Sequence, residues 1–211
     1  MFWISFYILE NKYWSMSLLI IQGFVAKLIA GMDDTLTHSP LLASLTRTKK
    51  GKFVFILGML TSIIILISIA MLFSGVLERI PYRNWIGAGL IFGLAVFIYF
   101  DKIVHKGRDK LVKSISHKKY KPSTARLFQL YGTGILTFFA TGVDDVIVYA
   151  PLLIGPLSKK LLVGSGILLA TLLEFYAIFY FSKYIAKIKY KYRITVFGLV
   201  VLSVLVGFEI I

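Results

Sequence analysis

The chain has 211 residues and no cysteine, and it is 58% hydrophobic with a mean hydropathy of +0.82. Soluble domains are about 45 to 50% apolar, so this composition excludes an ordinary soluble protein and indicates a membrane protein. The lack of cysteine excludes disulfides and thiolate metal sites, and the net charge of +14 lies in loops between apolar segments, which argues against nucleic-acid binding.

The chain begins with an apolar, aromatic segment, residues 1–10, that lacks the basic region and cleavage site of a signal peptide. We expect this segment to lie at the membrane interface. Six segments then approach or exceed the about 18 apolar residues needed to cross a bilayer of about 30 Å. The predicted spans are 17–45, 53–77, 84–104, 127–157, 161–184 and 194–211.

The first and fourth predicted spans contain the same motif. The paired runs are Gly31-Met32-Asp33-Asp34 leading to Pro40-Leu41-Leu42, and Gly142-Val143-Asp144-Asp145 leading to Pro151-Leu152-Leu153. Matched residues lie 111 positions apart, as do Gly23 and Gly134, so a whole helix is duplicated. A charge near the bilayer centre costs at least about 2.5 to 3.5 kcal/mol, so these carboxylates indicate a shared cation site. The alternative is a pair of buried structural ion pairs.

A proline follows each acidic pair and could add backbone ligands to the site. Pro40 leaves the carbonyl of Leu36 without its helical donor, and Pro151 does the same to Ile147. These carbonyls become candidate metal ligands if the helices are unwound there, which membranes tolerate only beside protein or a watery cavity. The residues predicted to break the two helices are Gly31, Pro40, Gly142 and Pro151. A plain proline kink is the alternative.

Three further ionisable residues lie inside predicted spans and away from the span ends that face the basic loops and the termini: Lys27, His38 and Glu174. Glu174, in the fifth span, is predicted to join the metal site or a proton path, or else to be a structural partner of Lys27 or a tyrosine. Lys27 could neutralise a carboxylate of the empty site, and a structural salt bridge is favoured for it. His38, one turn beyond Asp34, is a candidate metal ligand, although a hydrogen-bonded histidine in the wall of the site is favoured.

The basic residues predict the topology. Eighteen of them lie in the loops after the first, third and fifth spans, and five lie on the other side. The positive-inside rule makes the richer side cytoplasmic and both termini external. Three spans per half is an odd number, so the sequence predicts an all-α integral membrane protein with two inverted three-helix repeats, residues 1–104 and 127–211. The basic linker, residues 105–126, is expected to contact anionic lipid headgroups.

Clustered carboxylates also predict how transport is driven. Packed together they cannot all ionise, so some must be protonated or metal-bound, and metal binding displaces protons. Oxygen ligands favour hard ions such as Ca²⁺, Mg²⁺ or Mn²⁺. The metal would be the transported substrate, with no resident cofactor, held by Asp33 or Asp34 together with Asp144 or Asp145 and exchanged against protons.

The run Gly142-Val143-Asp144-Asp145-Val146-Ile147-Val148-Tyr149-Ala150-Pro151-Leu152-Leu153 resembles the second-repeat motif of cadmium-resistance (CadD-type) transporters. That group belongs to the LysE superfamily with the TerC and manganese-exporter families. The resemblance implies inverted three-helix repeats, acidic motifs in the first and fourth helices, and export of a divalent cation such as Mn²⁺, Ca²⁺ or Cd²⁺. We expect a prokaryotic cell (inner) membrane.

The main alternative is a membrane-embedded enzyme that depends on aspartate. Intramembrane aspartyl proteases use Gly-x-Gly-Asp with a separate Tyr-Asp, and prenyltransferases follow their aspartates with further acids that hold Mg-diphosphate. Neither pattern matches Asp34 or Asp145, which are followed by Thr, Leu, Val and Ile. The small-residue pairs Gly89/Gly93 and Gly164/Gly166 allow close helix packing within a monomer or in a homodimer.

Overall fold

The computed structural model describes residues 2–31, 38, 42, 45–46, 48–101, 123–185 and 191–208. All regular secondary structure in this part of the chain is α-helical, as the composition predicts. The helices that the described residues form are α1 Phe2–Ala30, α2 Lys49–Leu77, α3 Arg83–Asp101, α4 Thr124–Leu152, α5 Leu157–Ile185 and α6 Lys191–Gly207. The basic linker lies largely outside the described residues.

Within the described residues, three helices are long and apolar enough to cross a membrane: α2, α4 and the Leu157–Phe181 part of α5. Shorter apolar stretches occupy Met16–Ala30, Arg83–Tyr99 and Val196–Gly207. The outward faces carry large apolar side chains, for example Leu72 at 76% exposure and Phe128 at 79%. A continuous apolar exterior of this kind marks a surface that meets lipid or protein, which supports a membrane protein.

Helices α1 and α4 differ most from their predicted spans, while α2 and α5 each begin four residues before theirs. Helix α1 ends at Ala30, and most of the predicted first span after Gly31 lies outside the described residues. Helix α1 begins at Phe2, so residues 2–10 continue into the first span rather than forming a separate segment. No glycine or proline interrupts the chain before Gly23, which explains the continuity. Helix α4 ends at Leu152, five residues earlier than predicted, because the chain turns at Gly155 with φ of +129° and restarts as α5.

The backbones of α1 and α5 touch through glycine. A methyl group at Gly23 would collide with the carbonyl oxygen of Val163, and one at Gly166 would collide with the carbonyl oxygen of Ile20. Only residues without a side chain permit such contact between helices. The two glycines therefore fix where α1 and α5 cross.

Helices α2 and α4 cross in the same way. A methyl group at Gly58 would collide with the carbonyl oxygen of Tyr131, and one at Gly134 with that of Phe55. The residues of α4 lie 111 positions after their counterparts in α1, and those of α5 lie 108 positions after theirs in α2. The two glycine contacts between α1 and α5 are therefore repeated between α4 and α2 by residues at corresponding positions.

The remaining helices complete the bundle. Helix α3 packs mainly on α6, and a cavity of about 270 Å³ opens between them, lined by Trp85, Gly89 and Phe208 among others. Gly87 of α3 also faces the ring of Pro151 near the end of α4, where a methyl group would lie 2.7 Å from the proline Cβ. Pro151 therefore joins α4 to α3 at a contact between their surfaces.

A polar contact links two of the connections between helices. Glu78, directly after α2, accepts a hydrogen bond of 2.9 Å from the backbone N–H of Gly155 and lies 3.0 Å from the ammonium of Lys160. The Gly155 hydrogen bond, followed by the Lys160 ammonium, holds the pKa of Glu78 below its usual value of 4.5. This contact ties the end of α2 to the start of α5.

Candidate cation site

Lys27 is the centre of the candidate site. Its side chain, on α1, is fully buried, and its ammonium nitrogen lies 3.0 Å from Oδ2 of Asp145 on α4 and 3.4 Å from Oε2 of Glu174 on α5. The two acidic residues are only 3% and 7% exposed. Removing charges from water is costly unless they pair, so the three side chains stabilise one another where three helices meet.

Tyr149 supplies a second donor to the same carboxylate. Its hydroxyl donates a hydrogen bond of 2.7 Å to Oδ2 of Asp145, and its side chain is fully buried. Tyr149 follows Asp145 by four residues, a spacing that puts both side chains on one face of α4. A single carboxylate oxygen thus receives Lys27 and Tyr149 together, in short charge-assisted contacts.

Aromatic rings form one wall of the site. The Lys27 ammonium lies 5.3 Å from the centroid of the Phe138 ring, within the range of a cation–π interaction. Phe138 in turn contacts Phe175 edge-on, with centroids 5.6 Å apart. These rings keep water from one side of the ion cluster, and electrostatic attraction is stronger where water is excluded.

His38 lies beside this wall. Its side chain is fully buried, its ring lies 5.2 Å from that of Phe138, and its Nε2 is 3.3 Å from the hydroxyl of Thr141. Thr141 precedes Asp145 by one helical turn on the same face of α4. The structure therefore brings His38 to the edge of the cluster through Thr141.

The two aspartates of the second motif have different surroundings. Asp145 is buried in the cluster, whereas Asp144 is half-buried on the flank of α4. Helix α4 continues without unwinding through both aspartates and Ile147 to Leu152. Adjacent residues point about 100° apart on such a helix, so only one of the pair can face Lys27. Pro151 lies one residue before the helix ends, so its missing donor affects only the last turn.

The first motif is described only in part. Asp33, Asp34, Leu36 and Pro40 lie outside the described residues. Gly31 is buried against Lys27, and a methyl group there would lie 2.6 Å from the ammonium nitrogen. Glycine at this position therefore leaves the space that the ammonium occupies. Gly142, its counterpart in α4, faces the side chain of Leu66 on α2.

The described residues contain no group of three or more His, Asp or Glu side chains placed to hold a metal ion. These residues provide two carboxylates, Asp145 and Glu174, beside the ammonium of Lys27, and the tyrosine hydroxyl that donates to Asp145. The arrangement can bind a cation, and the cation that it holds here belongs to Lys27.

Three parts of this site were missed by sequence reasoning. Tyr149 and Thr141 flank Asp145 at four-residue spacing, a signal that is visible in the sequence once α4 is assigned. Phe138, seven residues before Asp145, follows from the same helical periodicity. No simple signal distinguishes it from the many phenylalanines whose side chains are exposed on the outside of the helices.

Comparisons of this chain with protein-family models, with curated proteins and with solved structures find no match. The resemblance to cadmium-resistance transporters therefore rests on the acidic motifs alone.

Proposed function

We propose that the protein is a secondary transporter that exports a divalent cation, of the Mn²⁺, Ca²⁺ or Cd²⁺ kind, from the cell by proton antiport. The observation that carries this proposal is the Lys27 ammonium held between the buried carboxylates of Asp145 and Glu174. A buried site that accommodates one cation from its own chain has the charge and the oxygen ligands to take another from solution.

Charge balance supports a divalent substrate. Two ionised carboxylates carry two negative charges, and Lys27 neutralises one of them. A divalent ion would neutralise both, so its binding would release Lys27 from Asp145 and Glu174. When the ion leaves, Lys27 and one proton together restore the same balance, which couples cation movement to protons. Lys27 then acts as the internal counter-ion of the empty site.

The packing supports two inverted repeats. The matched crossings of α1 with α5 and α4 with α2 have the form expected when one repeat is related to the other by a two-fold axis. Lys27 and Phe138 are themselves matched residues 111 positions apart, and they touch. Matched residues in contact must lie close to the axis. Inverted-repeat transporters bind their substrates near such an axis, at the interface between repeats.

The first-motif carboxylates complete the proposed site. Asp34 is the counterpart of Asp145 and follows Gly31, which lies beside Lys27. We expect Asp34, or its neighbour Asp33, to join Asp145 and Glu174 around the transported ion. Hard divalent cations take six to eight oxygen ligands, more than two carboxylates supply, so water or backbone carbonyls would fill the remaining positions.

Metal flux into proteoliposomes tests the proposal. Purified protein should move Mn²⁺, Ca²⁺ or Cd²⁺ across the membrane, and an opposing proton gradient should accelerate that movement. Empty liposomes and Asp145→Asn protein are the controls. Absence of flux for all three ions under either gradient would defeat the proposal and leave the aspartate-dependent enzyme as the better reading.

Cysteine labelling tests the topology independently. The chain has no native cysteine, so single Ser116→Cys and Ser158→Cys variants give a signal without background. The inverted-repeat arrangement requires that an impermeant reagent label the two positions from opposite sides. Labelling from the same side would exclude it.

A further inference from the structure

One face of α4 carries a row of polar side chains, and only the last two of them belong to the ion cluster. The row consists of Gln129, Thr133, Thr137, Thr141, Asp145 and Tyr149, each four residues from the next. Four residues turn an α-helix by about 400°, or about 40° beyond a full turn, so the row winds slowly around the helix.

Burial increases steadily along this row. Gln129 is exposed, the three threonines are half-buried, and Asp145 and Tyr149 are buried. The row therefore leads from the outer surface of α4, near its N-terminal end, inward to the ion cluster. We call the three half-buried residues, Thr133, Thr137 and Thr141, the threonine face.

The hydroxyls of the threonine face are held in a regular geometry. Thr133 donates its hydrogen to the carbonyl of Gln129 at 2.7 Å, and Thr137 donates to that of Thr133 at 2.6 Å. The Thr141 hydroxyl lies within hydrogen-bonding distance of two carbonyls of its own helix, Thr137 at 3.2 Å and Phe138 at 3.3 Å. Because the hydrogen is used by the helix, the hydroxyl oxygens of Thr133 and Thr137 offer their lone pairs outward, and that of Thr141 lies beside Nε2 of His38. Such oxygens can replace water around a hard cation.

The matched face of α1 is different. The positions that correspond to the exposed glutamine and the three threonines are Leu18, Gln22, Ala26 and Ala30. Three of these four side chains cannot coordinate a cation or hold water. The hydroxyl row therefore belongs to one repeat only, and it begins at the end of α4 that follows the basic linker.

We infer that the threonine face is the hydrophilic path along which the cation reaches Asp145 from the cytosolic side. This inference rests on the proposed function for its substrate and direction. The path supplies an oxygen ligand about every 6 Å, the rise of four helical residues, so a partly hydrated ion passes from one hydroxyl to the next. His38, 3.3 Å from Thr141, lies at the inner end of the path.

Cysteine accessibility tests this path without requiring transport. Single Thr133→Cys, Thr137→Cys and Thr141→Cys variants would be treated with a charged, membrane-impermeant methanethiosulfonate reagent from each side of the membrane. The matched controls are Leu136→Cys and Val143→Cys, on the opposite face of α4, where the native side chains are 71% and 50% exposed. Thiols that face lipid stay unreactive because the reagent needs water and a thiolate.

We expect the three threonine positions to react from the side of the basic linker, and the two control positions to stay unreactive. Mn²⁺ should slow the reaction at Thr141→Cys. Reaction only from the opposite side would overturn the direction, and three unreactive positions would overturn the path, leaving the hydroxyls as caps on carbonyls of their own helix. Labelled threonine positions in a protein without metal flux would instead defeat the proposed function.

Conservative substitution tests the hydroxyl itself. Thr137→Val should reduce metal flux at least tenfold, and Thr137→Ser should retain it, because serine restores the oxygen. Thr171→Val is the matched control, since Thr171 is buried on α5 and also donates to its own helix, at 2.8 Å to Ile167. Equal flux in Thr137→Val and wild type would overturn the role of this hydroxyl.

Discussion

The two halves of the molecule share their packing and differ in their charges. The glycine crossings of α1 with α5 and α2 with α4 use matched residues, yet the side chains that face the centre diverge. The pairs, written first half then second, are Lys27 and Phe138, Ala30 and Thr141, Asp34 and Asp145, His38 and Tyr149, and Leu66 and Glu174. A symmetric frame thus carries an asymmetric site.

This difference shows that one set of residues determines where the helices lie and another set determines the charge of the site between them. Glycines one turn or more from the residues of the ion cluster determine how closely the helices approach, so the side chains that face the cluster can change without moving the helices. One half contributes the ammonium, and the other contributes the described carboxylates and the hydroxyls. A second lysine at Phe138 would place two ammonium groups side by side, whereas the aromatic ring instead attracts the single cation.

Replacing Asp145 should have the largest effect. Asp145→Asn keeps the volume and can still accept from Tyr149, so we expect a folded protein whose metal flux falls more than about 100-fold, because even partners of metal ligands cost about 10- to 100-fold. Asp144→Asn, on the half-buried flank, is the matched control and should reduce flux far less. Equal losses would mean that α4 rotates or unwinds during transport, against the continuous helix seen here.

Replacing Lys27 should lower the stability of the metal-free protein and raise its affinity for metal. Lys27→Met leaves Asp145 and Glu174 without their ammonium, and loss of one partner of a buried ion pair costs about 3 to 5 kcal/mol. The variant should melt at lower temperature without metal and regain more stability than wild type when Mn²⁺ is added. Lys160→Met removes a partly exposed pair with Glu78 at the ends of two helices and should change stability far less. A metal-independent loss in Lys27→Met would limit Lys27 to a structural role.

Alanine substitutions at the crossing glycines compare how much each of the two matched helix crossings contributes to stability. Gly23→Ala and Gly134→Ala each drive a methyl group into a carbonyl oxygen of the partner helix, and overpacking of this kind costs about 1 to 3 kcal/mol. We expect similar drops in melting temperature for both. Gly89→Ala, where a methyl group meets nothing within 4 Å, is the control. A large loss in only one half would show that the crossings are not equivalent.

The smallest effect concerns Glu78, which has no counterpart contact in the described part of the other half. Because the folded-state pKa of Glu78 is lowered, its contact with Gly155 adds stability above pH 4.5 and loses it as the pH falls through that lowered pKa. Glu78→Gln should therefore melt below wild type at pH 6 and match it at strongly acidic pH. A difference that persists at both pH values would assign the effect to packing.

The sequence predicts the helical class and most helix bounds because hydrophobic runs and glycine or proline punctuation are local. It also identifies Asp145 and Glu174 as carboxylates within long apolar segments, since any such charge is conspicuous in apolar sequence. It does not predict that Asp145 rather than Asp144 meets Lys27, because that choice depends on the rotation of α4 against α1. Nor does it predict the ring of Phe138 beside the ammonium, since rotation and crossing are properties of packed helices.

The glycine crossings also determine how this protein could move. Where a glycine of one helix packs directly on a backbone carbonyl of another, the two helices cannot slide past each other without losing that contact. We therefore expect α1 with α5, and α2 with α4, to move as two rigid helix pairs. Lys27 and Glu174 then belong to the α1–α5 pair and Asp145 belongs to the α2–α4 pair, so the ion cluster joins the two helix pairs. Under the proposed function, exchange of the Lys27 ammonium for a transported ion would weaken the contact between the two helix pairs, and rocking of one pair against the other, rather than bending within a helix, would open the site to each side in turn.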